Sequence, residues 1–430
     1  MTTHGISTND QGIIAGRSVV PMTYTRPGGG VATTPHLGFD VDRARRDTPG
    51  TRTVVHLNNA GAALPPVPVT DAVIAHLRRE SEIGGYEAAA AAADQVEHTY
   101  TAIARLIGCH PGEIAVVENA TRAWDMAYYA LPFQEGDRIL TARAEYASNA
   151  IAFLQTARKH GVSVETVPDD ESGQLSVDAL RQMIDERVKL IAVTHVPTQG
   201  GLVNPAAEIG AVAGEFEITY LLDACQSVGQ MPIDVAEIGC DLLTATGRKY
   251  LRGPRGTGFL YCARRMLERL EPPFLDLHAA TWTGPETYEV RADARRFENW
   301  ETYYAGKIGL GVAASAAIDL GLDAIEQRVT DLADFLRRRL QVQPGVSVHD
   351  QGQRRCGIVT FTIEGHDPHR IYDQLHAQRI NVSVSIADYA RWDLAPRGLD
   401  AVVRASVHYY NTHDELDQMC NALPSAVAHD

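Results

Sequence analysis

The chain has 430 residues, 45% of them apolar, which is ample for a large core and, at roughly 150 residues per domain, implies two or three domains. Its 39 basic and 54 acidic residues give a net charge of −15, a balance that argues against nucleic acid or an anionic membrane as the main partner. No apolar stretch approaches the ~20 residues a spanning helix needs, and residues 1–16 lack a basic run followed by an apolar one, so no signal peptide and a cytoplasmic location are expected. The six cysteines (Cys109, Cys225, Cys240, Cys262, Cys356, Cys420) include no CxxC pair, so their spacing indicates neither a metal site nor a disulfide framework.

Along the chain, residues 1–52 read as an N-terminal extension, glycine-rich at Gly28-Gly29-Gly30 and poor in periodic apolar positions. Residues 70–82 read as an amphipathic helix with Val73, Ile74 and Leu77 on one face. Strands and helices then alternate. Strands are expected at 114–117, 138–141, 189–194, 219–222, 242–246 and 258–261, with helices at 121–131, 148–160 and 205–216. Short apolar runs separated by helices imply crossover connections and a mainly parallel sheet covered on both faces, within a large domain over 53–303. Near Trp300 the pattern changes. A small-residue helix over 305–325, another over 331–340, strands near 357–362 and 402–407, and a final helix opened by the capping box Thr412-His413-Asp414-Glu415 suggest a smaller α+β domain over 304–430.

Two residues carry the chemical reading. Asp223 follows the apolar strand Tyr220-Leu221-Leu222, and Lys249 follows the strand 242–246, 26 positions further on. Ligands of open α/β sheets sit at the carboxyl ends of the strands, so a carboxylate and a lysine converge on one pocket. Either residue alone would be an ordinary cap or a solvated surface group; together they suit pyridoxal 5′-phosphate. Lys249 would hold its aldehyde as an imine, and Asp223 would keep the pyridine nitrogen protonated. Gln226 would bond the ring oxygen, and Thr246 and Arg248 would hold the phosphate. Asn119-Ala120-Thr121 opens a helix and offers N–H groups for a second phosphate contact. Tyr146 is placed to stack on the ring, and Arg404 to clamp a carboxylate.

The ordered set Asn119-Ala120-Thr121, Glu145-Tyr146, Asp223-Ala224-Cys225-Gln226-Ser227, Thr246-Gly247-Arg248-Lys249, Gly253-Pro254-Arg255-Gly256-Thr257-Gly258 and Arg404-Ala405-Ser406 resembles the class V aminotransferase family, which includes the cysteine desulfurases. The resemblance implies a fold-type I PLP-dependent transferase, α/β, with a mainly parallel seven-stranded sheet in the large domain. It implies a homodimer with a shared active site, a small amino-acid substrate, PLP as cofactor and no metal. Lys249 would be the Schiff-base lysine and Arg404 the substrate-carboxylate arginine, with Asn59, Ala60, Gly61 and Tyr86 also on the substrate side. Cofactor contacts would come from Asn119, Ala120, Thr121, Tyr146, Thr198, Asp223, Gln226, Thr246 and Arg248.

Several departures from the family pattern narrow the reading. The mobile cysteine of the desulfurases should precede Arg404, yet residues 382–403 contain no cysteine. The ring-stacking histidine is replaced by Tyr146, an asparagine by Thr198, and the glycine-threonine near the subunit boundary by the stretch Arg296-Phe297-Glu298-Asn299-Trp300-Glu301-Thr302. The runs Glu82-Ile83-Gly84-Gly85-Tyr86-Glu87-Ala88-Ala89 and Arg248-Lys249-Tyr250-Leu251-Arg252-Gly253-Pro254-Arg255-Gly256 are similar to the C–S lyase of ergothioneine biosynthesis and to enzymes processing cysteine S-conjugates in lincosamide antibiotic pathways. The expected reaction is β-elimination from a cysteine S-conjugate, with Lys249 as α-proton base, giving thiol, pyruvate and ammonia. Decarboxylation with oxidative loss of the amine, leaving a sulfur-bound aldehyde, is the alternative, and transamination a third.

Overall fold

The computed structural model describes residues 39–423. The segment read for a signal peptide and most of the glycine-rich extension therefore lie outside the described residues. From Phe39 onward the expected extension is folded. Asp40 caps the helix Val41–Arg46 with its side chain, and Arg45 of that helix bonds Glu415 at 2.6 Å near the far end of the chain.

Seven strands build the main sheet, in the order Ile114–Val117, Gly258–Cys262, Leu242–Thr246, Thr219–Asp223, Val188–Thr194, Arg138–Thr141, Ser163–Thr166. All neighbours are parallel except at Gly258–Cys262, which runs antiparallel to both of its partners. The central strands are buried apart from Lys189 near the start of Val188–Thr194, as expected for apolar runs covered by helices on two faces. Ser163–Thr166, the edge strand missed in the sequence, is half exposed and carries no apolar run.

A second, four-stranded antiparallel sheet follows in the order Val346–Val348, Ile358–Ile363, Ala401–Ser406, Ser383–Ile386. The short strand Val55–His56 pairs with Ile380–Asn381, so this early segment is bound to the C-terminal part. The helix expected over 305–325 is broken. Tyr304–Leu320 ends at Gly321 (φ 83°), and Leu322–Gln341 restarts at 81° to it. A left-handed φ is readily available to glycine and stops a helix. The expected capping box at Thr412 is present: Thr412 Oγ1 accepts from Glu415 N, and the Glu415 carboxylate accepts from Thr412 N, both at 3.3 Å. No single helix among the described residues is long and apolar enough to cross a membrane.

Candidate active site

The carboxyl ends of the parallel strands open into a cavity of about 380 Å³, a size that suits a small ligand. Register places the key residues. Thr194 pairs with Asp223 and Asp223 with Thr244, so three adjacent strands end at one level. All ten expected cofactor residues (Asn119, Ala120, Thr121, Tyr146, Thr198, Asp223, Gln226, Thr246, Arg248 and Lys249) line this cavity. Asn149, Thr194, Val196 and Cys225 complete the lining.

One end of the cavity is built for an anion. The helix Ala120–Tyr128 starts there, capped by Asn119, whose Oδ1 accepts from Arg122 N at 2.9 Å. The N–H groups of Ala120 and Thr121 have no partner within the helix and form the positive end of its dipole. Thr246 and Arg248 flank the same region, with Arg248 Nη1 bonded to the Gly61 carbonyl. Gly258 permits this approach. A Cβ there would stand 2.7 Å from the carbonyl carbon of Asn119 and 2.9 Å from Ala120 N.

At the other end, Asp223 is buried with two fixed donors: Cys225 N reaches Oδ1 at 2.9 Å, and Asn149 Nδ2 reaches Oδ2 at 3.0 Å. Asn149 also donates to Glu145 Oε1 at 2.9 Å. Glu145 is itself buried, and it accepts further bonds from Thr141, Thr194 and Tyr146 N. Burial pushes the Glu145 carboxyl up to about 7. Neither Glu145 nor Asn149 was assigned a role from the sequence. The available signal was an asparagine on the inward face near the start of a helix, where its low helix propensity needs a compensating contact.

Lys249 lies in the turn after Leu242–Thr246, only 9% exposed. Burial, more than any neighbouring charge, lowers its ammonium from the ordinary lysine value. Its Nζ is 5.9 Å from the centre of the Tyr146 ring.

The substrate side is held by backbone and by Arg404. Gln226 Nε2 donates to the Ala60 carbonyl at 3.0 Å and to Thr198 Oγ1 at 3.1 Å, while its buried Oε1 has no partner. Arg404 stands behind Thr198. Its Nη1 donates to Thr198 O at 3.1 Å and Thr198 Oγ1 at 2.5 Å, and its Nη2 donates to Asn58 Oδ1 at 3.1 Å. A guanidinium has five N–H donors. Three are engaged here, and the buried Nε is unpartnered. What remains is the Nε/Nη2 edge, the fork that pairs a carboxylate. Asn59 is placed differently from expectation. Its amide nitrogen donates to Ser406 O at 2.7 Å and His56 O at 3.2 Å, and its oxygen accepts from Tyr410, so its side chain ties the chain to the second sheet. Tyr86 does not line the cavity; on the helix Gly85–Ala91 it is 75% exposed. Among the described residues, no group of three or more His, Cys, Asp or Glu could hold a metal ion.

The donor set fits pyridoxal phosphate, with an anion cradle, a buried carboxylate, an unpartnered Gln226 Oε1, an aromatic face and a desolvated lysine in one cavity. This arrangement defines an α/β enzyme of the fold-type I pyridoxal-phosphate class. Residues 55–419 match the class-V aminotransferase family, and the chain belongs to it; it is a pyridoxal-phosphate-dependent enzyme. A probable cysteine desulfurase of Methanothermobacter thermautotrophicus is 30% identical over 88% of this chain and 96% of its own length. Another from Halalkalibacterium halodurans is 31% identical over 86% and 92%. The solved apo structure of the Thermococcus onnurineus cysteine desulfurase superposes with a TM-score of 0.82 at 26% identity, covering 88% of this chain and 96% of that one.

Proposed function

We propose that the protein is a C–S lyase acting on a cysteine S-conjugate by β-elimination, within specialised sulfur or antibiotic metabolism. One observation carries the reading: no cysteine is placed to receive sulfur. Residues 382–403 contain none. Cys225, which lines the cavity, has its backbone N–H fixed on Asp223 Oδ1, and burial drives its thiol far above the usual range. The thiolate is the form that attacks sulfur, so sulfur is expected to leave with its substituent.

When bound, pyridoxal phosphate supplies an electron sink for the substrate's α-carbon. The residues of the chain do the rest. Arg404, buried behind the cavity-lining Thr198 with its Nε unpartnered and its Nη2 also serving Asn58, holds the substrate carboxylate. Lys249, whose ammonium burial lowers from the ordinary lysine value, takes the α-proton. Asp223 holds a positive ring nitrogen, and Asn149 and Cys225 N hold Asp223. Loss of the α-proton and of the Cβ–S bond releases a thiol; one water then replaces the nitrogen, giving pyruvate and ammonia.

The working form is a homodimer with a shared active site. Support comes from the hairpin pair Trp282 and Tyr288, 80% and 55% exposed, and from exposed Phe274, whose ring lies 5.1 Å from the Arg122 guanidinium on the helix that opens the cavity. A monomer by light scattering would remove this part. The reaction is tested by giving holoenzyme a bulky cysteine S-conjugate and measuring pyruvate, thiol and carbon dioxide together. Pyruvate and thiol in equal amounts are expected. Carbon dioxide with sulfur still attached, or sulfur transfer from free cysteine to the protein, would overturn the reading.

A further inference from the structure

Two cavities share one stretch of backbone. Thr194 and Val196 line the cofactor cavity, while His195 between them lines a second cavity of about 350 Å³. Side chains of an extended segment alternate in direction, which puts His195 on the opposite side. Its ring is buried in the floor of this second cavity, 5% exposed, and its Nδ1 has no partner. A buried polar atom left unpaired costs free energy that a hydrogen bond would recover. Burial, aided by the nearby Arg354 charge, takes the imidazole down to about 3, so the ring is neutral at neutral pH. It then has one N–H to donate and one lone pair to accept with.

The walls add donors on one side and carboxylates on another. The helix Ala206–Glu215 starts here behind Pro205, with no side-chain cap. Ala206 N is bonded to Asn204 O at 2.8 Å and Ile209 N to Pro205 O at 3.0 Å. The N–H groups of Ala207 and Glu208 lie between these two and have no backbone partner, and a helix start of this kind suits a carboxylate. Arg354 adds a guanidinium whose side chain is 54% exposed, with Nη2 paired to Glu326. Negative charge is present as well. Glu208 and Glu237 are exposed at the rim, and Asp234 spends its Oδ1 on Ala236 N and Glu237 N.

The balance of these groups decides the ligand. A simple anion would gain the two N–H groups and Arg354 but stand against two rim carboxylates. A simple cation would gain the carboxylates but stand at the positive end of a helix dipole. A zwitterion satisfies both. We propose that this cavity is a second binding site for a free α-amino acid: its carboxylate lies on Ala207 N, Glu208 N and Arg354, its ammonium faces Glu237, and the unpartnered His195 ring completes its hydrogen bonds. The backbone carries the effect onward. His195 N donates to Asp223 O at 2.9 Å, and Asn204 Nδ2 donates to Thr194 O at 2.8 Å. An occupant resting on His195 therefore bears on the strand that ends in the ring-nitrogen anchor. The site does not depend on which bond the enzyme breaks.

The test uses holoenzyme reduced with borohydride, which fixes the cofactor on Lys249 and closes the catalytic cavity to a second amine. The probes are L-alanine, propionate and ethylamine, titrated by calorimetry. L-alanine is expected to bind, and propionate and ethylamine, which each lack one charge, to bind at least about tenfold more weakly, the loss of one charge-assisted contact. Arg354→Gln and Glu237→Gln should each weaken L-alanine by about tenfold as well. Glu326→Gln removes only the exposed ion-pair partner of Arg354 and should stay within about twofold. Arg354 and Glu237 are both exposed, so their variants keep the fold. No heat with L-alanine overturns the proposal. So does a heat that Arg354→Gln and Glu237→Gln both leave unchanged, which would put the amino acid at Arg404 instead. Propionate binding as well as L-alanine would make this an anion site and overturn the amino-acid assignment.

Discussion

Asn149 Nδ2 lies 3.0 Å from Asp223 Oδ2 and 2.9 Å from Glu145 Oε1, so one amide joins the cofactor's ring-nitrogen anchor to a second buried carboxylate. With both protons engaged, Asn149 fixes where Asp223 can sit. Replacing it with alanine leaves Asp223 held from Cys225 N alone. A hydrogen bond to a charged group contributes ~1.5–3 kcal/mol. Asn149→Ala should therefore weaken pyridoxal-phosphate affinity by roughly ten- to a hundredfold. Titration of cofactor-free protein, followed by absorbance, measures it, and an unchanged dissociation constant would show that Asn149 does not support Asp223.

Glu145 gives a pH signature with a definite sign. Burial raises its carboxyl from 4.5 to about 7 against the opposing bonds from Thr194, Tyr146 N and Asn149. A group whose folded value is raised contributes stability that is complete below the unfolded value and is lost as pH rises through the folded one. The advantage of wild type over Glu145→Gln should thus be largest near pH 4.5 and shrink toward pH 7, by at most about 1.4 kcal/mol per pH unit. Melting temperatures of the two cofactor-free proteins across that range read this difference, and other titrating groups cancel in the subtraction. An advantage that grows with pH would mean the five donors win and Glu145 is ionised throughout.

How much of this site can be read from sequence depends on how local its cause is. Asp223 and Lys249 are legible because Asp223 ends the strand Thr219–Asp223 and Lys249 follows the strand Leu242–Thr246 in the next turn, and a strand end in an α/β sheet is a ligand position. The cap at Asn119 and the capping box at Thr412 are equally local, each set within four residues. Glu145 is different. Its partners Thr141, Asn149 and Thr194 come from two strands and a helix, and only the sheet register brings Thr194 to it. The break at Gly321 was hidden for another reason. Small and apolar residues run on from Tyr304–Leu320 across Gly321 as far as Ile325, and pattern alone does not show that Gly321 adopts a φ of 83°. Asn59 shows the reverse case, where a motif position near the cavity has its side chain fully engaged by Ser406, His56 and Tyr410.

Gly258 couples strand packing to the anion cradle. An added methyl would lie 2.7 Å from Asn119 C, 2.8 Å from Ala245 O and 2.9 Å from Ala120 N, all backbone atoms that cannot rotate away. The start of the helix Ala120–Tyr128 would have to move off the sheet. Overpacking of this kind costs ~1–3 kcal/mol. Gly258→Ala should lower the melting temperature and, because the displaced groups are the phosphate's N–H donors, reduce affinity for pyridoxal phosphate more than for phosphate-free pyridoxal. Equal losses for both ligands would separate the strand from the cradle.

Arg404 combines a fixed posture with a free edge, and a lysine can supply neither. Nη1 serves both oxygens of Thr198, Nη2 serves Asn58, and Nε remains for the ligand. A lysine ammonium has three donors on one atom and no planar fork. Arg404→Lys should raise KM for the S-conjugate by roughly tens of fold while changing kcat much less, the pattern for lost uniform binding. Protonation sharpens the prediction. Burial lowers Arg404 only to about 10, so the guanidinium stays charged at neutral pH. Lysine starts from a lower intrinsic value and would meet the same desolvation, as Lys249 does nearby. Its charge would be lost within the working range. KM of Arg404→Lys should therefore climb between pH 7 and pH 9, roughly the span a desolvated lysine covers, whereas wild type shows no such climb from this residue. A KM that is raised but flat with pH would mean the lysine stays charged, and that geometry alone separates the two side chains.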